Sequence, residues 1–162
     1  MTETTPPGPE ANVTLQEITF ETVREICNLS DTLSDAQKRM VAPNAISIAQ
    51  AHFNEYAWFR AIYADDTPVG FVMLYVGPDE DRGKEKAFYL WRFMIASPHQ
   101  GKGYGRKALQ LIFDHVRDLG AKELDTSVGQ GEASPEGFYR SLGFERSGEM
   151  FDDEVGLRLA LA

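Results

Sequence analysis

Apolar residues along this chain change their spacing several times, and each change marks an element. Residues 58–64, 69–76 and 87–95 are rich in aromatic and β-branched side chains and are separated by polar turns, which predicts a three-strand meander. The middle run is almost continuously apolar, as in a strand covered on both faces. Past Ile95 the period becomes helical: Leu109, Ile112, Phe113, Val116 and Leu119 fall on one side, and Gly120 stops the pattern. Ahead of the meander, residues 13–18 read as a strand and 21–29 as a helix with Val23, Ile26 and Cys27 on one face. Ser34 is placed to cap a short helix towards Met40, and Ser47 to cap a second piece over 48–53. Behind the long helix, 123–128 reads as a strand. Ser134-Pro135-Glu136 opens a helix that buries Phe138 and Leu142 and ends at Gly143. Residues 144–151 and 154–161 form a hairpin about Asp152-Asp153. Turns, not helices, join the strands of 58–95. The order therefore predicts an α/β (α+β) domain with a mixed, mostly antiparallel sheet of about seven strands flanked by helices.

Composition narrows this to one domain. With 162 residues, 43% of them hydrophobic, a single core is expected over 13–162. Residues 1–12 are rich in Thr, Pro and Glu and read as a disordered tail. No apolar run is long enough for a membrane, and no signal-peptide core is visible. The single Cys27 excludes an internal disulfide and fits a reducing cytoplasm, where it reads as a small apolar residue. A net charge of −9 argues against nucleic acid as partner and is compatible with a cationic substrate. The three histidines, His52, His99 and His115, lack metal-ligand spacing, so no metal is expected.

Glycines alternate at Gly101, Gly103 and Gly105, where an apolar strand hands over to the long helix. The first N–H groups of a helix lack internal partners and its dipole is positive there. Glycines at that point let several N–H groups curl round a phosphate. Lys102, Arg106 and Lys107 oppose the dipole unless an anion sits among them. A basic surface helix after a flexible turn would carry the same residues. Neither the P-loop pattern nor the dinucleotide fingerprint fits, because Gly101-Lys102 is followed by Gly103, and Arg106 stands where the fingerprint needs glycine.

The pattern present is Gln100-Gly101-Lys102-Gly103-Tyr104-Gly105, which resembles the acetyl-CoA pyrophosphate loop of the GNAT superfamily of N-acetyltransferases. Tyr139-Arg140-Ser141-Leu142-Gly143-Phe144 resembles a second element of that superfamily. The two motifs occur in the expected element order across residues 13–161. The resemblance implies acetyl-CoA as cosubstrate, held by Phe93, Met94, Ile95, Gln100, Gly101, Lys102, Gly103, Tyr104, Gly105, Arg106 and Ser134. It implies Tyr139 as the general acid beside the thioester sulfur. Tyr89-Leu90-Trp91-Arg92-Phe93 and Gly148-Glu149-Met150 are similar to bacterial spermine/spermidine acetyltransferases. That likeness suggests a small amine or polyamine acceptor near Asn44, Trp91, Arg92, Asp79 and Glu80, with a homodimer as a candidate assembly. The chain departs from the pattern twice. The strand carboxylate of polyamine enzymes is missing at Trp91 and Arg92, and no Asn precedes the tyrosine helix, where Glu132 and Ser134 stand.

The chemistry follows from the residue types. No nucleophile–base pair suggests an acyl-enzyme, so the amine is expected to attack directly in a ternary complex. A tyrosine near pKa 10 is protonated at neutral pH and close to a thiol in strength. A strand N–H near Met94 or Ile95 is expected to polarise the carbonyl. Glu55, Asp79 and Glu80 are candidate bases through water, each more often a solvated acid. The competing reading is an acyl-CoA-binding module that has lost its base. Acetyl transfer to a protein N-terminus or an amino sugar is a further alternative.

Overall fold

The computed structural model describes residues 5–162. Its seven strands are β1 (Val13–Gln16), β2 (Ala57–Ala64), β3 (Thr67–Asp79), β4 (Lys84–Ile95), β5 (Glu123–Val128), β6 (Glu145–Phe151) and β7 (Glu154–Ala160). They form one sheet in the order β1-β2-β3-β4-β5-β7-β6. Every pairing is antiparallel except β4 with β5. The helices are α1 (Val23–Leu29), α2 (Asp35–Lys38), α3 (Asn44–His52), α4 (Tyr104–Asp118) and α5 (Glu136–Ser141), with single turns over Ser30–Thr32 and Ser97–His99. Among the described residues no helix is long and apolar enough to cross a membrane.

Strand alternation divides the interior into two cores. On β3, Val72 and Leu74 face Ala108, Leu109, Ile112 and Val116 of α4. Their neighbours Phe71 and Met73 face Ile26 of α1 and Ile48 of α3. Burial on both faces explains the unbroken apolar run. Tyr104 and Ala108 extend the buried stripe of α4, whereas Leu119 is exposed and does not belong to it.

Two irregularities open the sheet. Between the pairs Leu74↔Leu90 and Met73↔Arg92 the register slips, so Trp91 is an extra residue on β4. Such a bulge bends its strand. On the other side, β4 meets β5 at only Tyr89↔Asp125 and Leu90↔Thr126. Beyond Leu90 the β5-facing edge of β4 has no ladder partner among the described residues.

Several boundaries differ from the sequence reading. Ser34 caps α2 as expected, in a full capping box with Gln37. Ser47 caps nothing: it is buried inside α3, which begins at Asn44. Thr67 and Pro68 open β3 rather than closing the turn, and the strand runs on to Asp79. Pro135 is the N-cap of α5, one residue later than predicted, although Ser134 Oγ still accepts from the Glu136 N–H at 3.3 Å. Of the expected tail over residues 1–12, the structure describes residues 5–12. Residues 1–4 lie outside the described residues, but the carbonyls of Pro7, Gly8, Pro9 and Ala11 accept from Lys102, Tyr104 and Lys107, and Ala11 is buried.

The acidic β3–β4 loop is pinned by an ion network. Arg82 reaches Asp79 at 2.5 Å, buried Asp125 at 3.0 Å and Glu149 at 3.6 Å. Arg158 holds Asp125 at 2.8 Å and Glu149 at 2.9 Å, and Lys84 holds Glu123 at 2.5 Å. The hydrogen bond from Arg82 keeps the Asp79 carboxyl below its ordinary range, and that from Lys84 does the same for Glu123. Carboxyls depressed in the fold stabilise it above their unfolded pKa, and that contribution disappears as pH falls through the folded values. Arg82→Ala should therefore cost about 1–2 kcal/mol at pH 7, since Arg158 still pairs Asp125. Urea unfolding should show the gap to wild type shrinking towards about pH 3, below the ordinary carboxyl range. A gap independent of pH would remove the network from the stability of this loop.

Candidate active site

The opened edge of β4 is one wall of a cavity of about 480 Å³. Phe93, Met94 and Ile95 line that wall, and Phe138 and Tyr139 of α5 line the opposite one. Leu33, Gln37, Met40 and Val41 roof it, and the glycine loop closes one end. Phe93 and Phe138 lie parallel, with centroids 6.2 Å apart. Met94 contributes chiefly its backbone: its side chain turns into the α1–α3 core, where its sulfur accepts from Asn44 Nδ2 at 3.7 Å.

The loop is built for close approach of a ligand. Gly101 and Gly103 have φ of +78° and +85°, which disfavours side chains, and a Cβ on either would meet nothing within 4 Å. Gly105 is needed for a different reason. A Cβ there would stand 3.2 Å from Phe138 Cζ and 3.6 Å from Phe93 Cζ, inside the cavity wall. At the start of α4 the Lys107 N–H donates to the Gly103 carbonyl at 3.2 Å. The N–H groups just before it are the orphan donors of a helix start. The donor set and the open glycines fit a diphosphate.

The loop's side chains mostly do structural work. Gln100 donates to the Ile95 carbonyl at 2.8 Å and accepts from Gln37 at 3.1 Å, tying loop to strand and roof. The Ser97 N–H donates to Thr32 Oγ1 at 2.9 Å, a second tie to the roof segment. Lys102 donates to the Pro7 carbonyl at 3.0 Å and Lys107 to that of Pro9 at 2.7 Å. These two cations thus hold the N-terminal segment. Arg106, bonded to Ser141 Oγ at 3.1 Å, lines the cavity. Tyr104 is 1% exposed, and its hydroxyl donates to the segment's Pro7 and Gly8 carbonyls. Ser134 is not among the cavity-lining residues, although Ala133 and Pro135 are. Of the cofactor residues expected from sequence, Lys102 and Tyr104 thus bond the N-terminal segment through their side chains, and Ser134 bonds the start of α5.

Tyr139 lies where two cavities meet. It is 5% exposed, packs edge-on against Phe144, and lines both the cavity at the glycine loop and a second one of about 340 Å³. Burial, and next the nearby Tyr89, push its phenol above the ordinary value. It therefore keeps its proton throughout the neutral range. The second cavity continues into a third of about 620 Å³, and Trp91, Arg92, Ser127 and Glu154 line both. There Ser127 Oγ donates to Glu154 Oε1 at 2.8 Å and bonds the Tyr89 hydroxyl.

The acceptor residues expected from sequence divide sharply. Trp91 and Arg92 line the second and third cavities. Asn44 does not: it is 1% exposed, and its Nδ2 donates to the Ile26 carbonyl at 2.9 Å, so it fastens α3 to α1. Asp79 borders the third cavity but is committed to Arg82, and Glu80 stands at that cavity's exposed rim. Glu154, Ser127 and Tyr89 were missed as a group. They come from three strands, and no local spacing joins them.

Residues 20–144 match the model of the Acetyltransferase (GNAT) family. The chain belongs to the GNAT family. GNAT acetyltransferases use acetyl-CoA. The chain is 31% identical over 91 residues to the spermine/spermidine N(1)-acetyltransferase of Bacillus subtilis strain 168, covering 55% of this chain and 60% of that protein. It is 27% identical over 93 residues to the L-2,4-diaminobutyric acid acetyltransferase of Streptomyces avermitilis, covering 57% and 49%. Its fold matches an acetyltransferase from Thermus thermophilus with a TM-score of 0.75, at 15% identity, over 92% of this chain and 97% of that one.

This GNAT chain's loop makes a direct prediction. Gly105→Asp should abolish acetyl-CoA binding, because the carboxylate would crowd Phe138 and repel phosphate. Gly103→Ala should cost about 1–2 kcal/mol from the left-handed backbone. Calorimetric titration with acetyl-CoA and a thermal melt check both. Unchanged affinity in a folded Gly105→Asp protein would contradict the phosphate cradle.

Proposed function

We propose that this chain is an acetyl-CoA-dependent N-acetyltransferase whose acceptor is a primary amine on a small molecule. The observation that carries the reading is the junction at Tyr139. One protonated, buried phenol borders both the cavity headed by the glycine loop and the cavity holding Glu154.

In this reading the thioester supplies the activated acyl group, and the chain's residues orient it and manage protons. The glycine-loop N–H groups and Arg106 hold the diphosphate. The free edge of β4 near Phe93–Ile95 aligns the acyl arm and offers an N–H to the carbonyl oxygen. A neutral amine attacks the carbonyl carbon, a C–N bond forms and the C–S bond breaks. The Tyr139 hydroxyl gives its proton to the departing sulfur. Glu154, steadied by Ser127, takes the surplus proton of the amine, and that proton returns through water to the Tyr139 oxygen, which restores the hydroxyl and leaves the carboxylate as it began. Glu154 fills the role left open by the missing strand carboxylate, so the one feature that favoured a non-catalytic binding module loses its force.

A polyamine acceptor is the second reading. It draws on the name of the Bacillus relative and on the acidic third cavity, where Glu80, Asp81, Asp152 and Glu154 gather.

The test is free-thiol release from acetyl-CoA with a panel of amines, amino acids and peptides. Tyr139→Phe keeps the ring and should lower kcat by about 10²–10⁴-fold with little change in acetyl-CoA affinity. Because burial raises the phenol's pKa, wild-type kcat should show no alkaline loss from this group below about pH 10. A Phe variant with full kcat would make Tyr139 a packing residue. No turnover with any amine would defeat the enzyme reading.

A further inference from the structure

Arg92 stands just past the bulge of β4, on the wall shared by the two acceptor cavities. Its bonding is incomplete. Nη1 donates to the Trp91 carbonyl at 3.0 Å and Nη2 to Gln50 Oε1 at 3.4 Å, while Nε is buried with no partner. A guanidinium carries five N–H donors. Among the described residues Arg92 forms no ion pair within 4.0 Å. Arg82 and Arg158 by contrast each reach three carboxylates. Burial pulls the Arg92 guanidinium below its ordinary value, yet an arginine stays charged at neutral pH. A half-buried cation is costly unless an anion meets it.

The nearest acid makes the arrangement informative. Glu154 lines the same two cavities and its field reaches Arg92, but its carboxylate is held by Ser127. The cavity wall therefore carries a positive and a negative pole that do not neutralise each other by contact. A ligand with both an ammonium and a carboxylate answers both. The guanidinium fork matches a carboxylate in bidentate fashion, and Glu154 attracts the amine. A polyamine satisfies Glu154 only and sets a further cation beside Arg92.

We infer that Arg92 recognises a carboxylate on the acceptor, and that the acceptor class is an amino acid rather than a polyamine. This rests on the acetyltransferase reading above and adds the substrate class. Catalysis stays with Tyr139 and Glu154, and Arg92 sets specificity.

The experiment compares matched acceptors on the full chain by free-thiol release. The pairs are lysine against 1,5-diaminopentane and 2,4-diaminobutyrate against 1,3-diaminopropane, with spermidine as the polyamine arm. Within each pair kcat/KM should favour the carboxylate member roughly 10- to 100-fold, the worth of a charged hydrogen bond. Arg92→Gln should bring that ratio near one, and Arg92→Lys, which keeps charge but loses the fork, should fall between. The Lys variant also serves if the Gln variant fails to fold. Preference for the diamines or spermidine in wild type, or an unchanged ratio in a folded variant, overturns the inference. If no amine is turned over, the acetyltransferase reading falls and calorimetry with the same amino acids decides the site. Binding by wild type that is lost in Arg92→Gln upholds the carboxylate contact. Equal binding by both, or by neither, overturns it.

Discussion

Everything in this site depends on how little β4 and β5 pair. Two residue pairs join them, and then the strands part. A parallel ladder continued past Leu90 would consume the β5-facing N–H and C=O groups of Trp91–Ile95, whose other edge is already paired with β3. The bulge at Trp91 turns β4 away at that point. The gap is a lined slot, because Phe93 and Phe138 face each other across it and the roof is tied down through Gln37–Gln100 and Thr32–Ser97. One local failure of pairing thus supplies a free strand edge, an approach for a long thin ligand and a place for Tyr139.

The surrounding polar contacts keep that gap from collapsing or spreading. Arg82 and Arg158 converge on Asp125, one of the two β5 residues that still pair with β4. Thr126, the other, sends its hydroxyl to the Leu90 carbonyl at 2.9 Å. The last joined step of the two strands is therefore bolted by side chains. At the other end the N-terminal segment lies on α4 and occupies Lys102, Tyr104 and Lys107. That satisfies two cations which would otherwise oppose the helix dipole, and it leaves Arg106 to face the cavity.

The fold was largely legible in the sequence because its signals are local. Strand alternation, the stripe of α4, the Ser34 cap and the glycine loop each lie within a few consecutive residues. The slot's walls were legible for the same reason, since Phe93–Ile95 and Phe138–Tyr139 flank recognisable motifs. What sequence reasoning misassigned depends on distant partners. Asn44 looked like a substrate residue, yet its amide answers Ile26 and Met94 in the core. Asp79 looked like a free acid until Arg82 closed on it. The N-terminal segment has few apolar groups to signal a contact, and its backbone carbonyls meet side chains almost a hundred residues on. Glu154 was read only as the start of a strand, and nothing nearby signals that Ser127 and Tyr89 join it.

The most direct test of the central claim is residue-resolved amide hydrogen exchange with and without coenzyme A. If the parted strands form the donor slot, the ligand should slow exchange at Gly101–Arg106 and along Phe93–Ile95, with little change in β1, β2 or β6. Protection confined to other parts of the sheet, or none at the glycine loop under saturating ligand, would contradict the account.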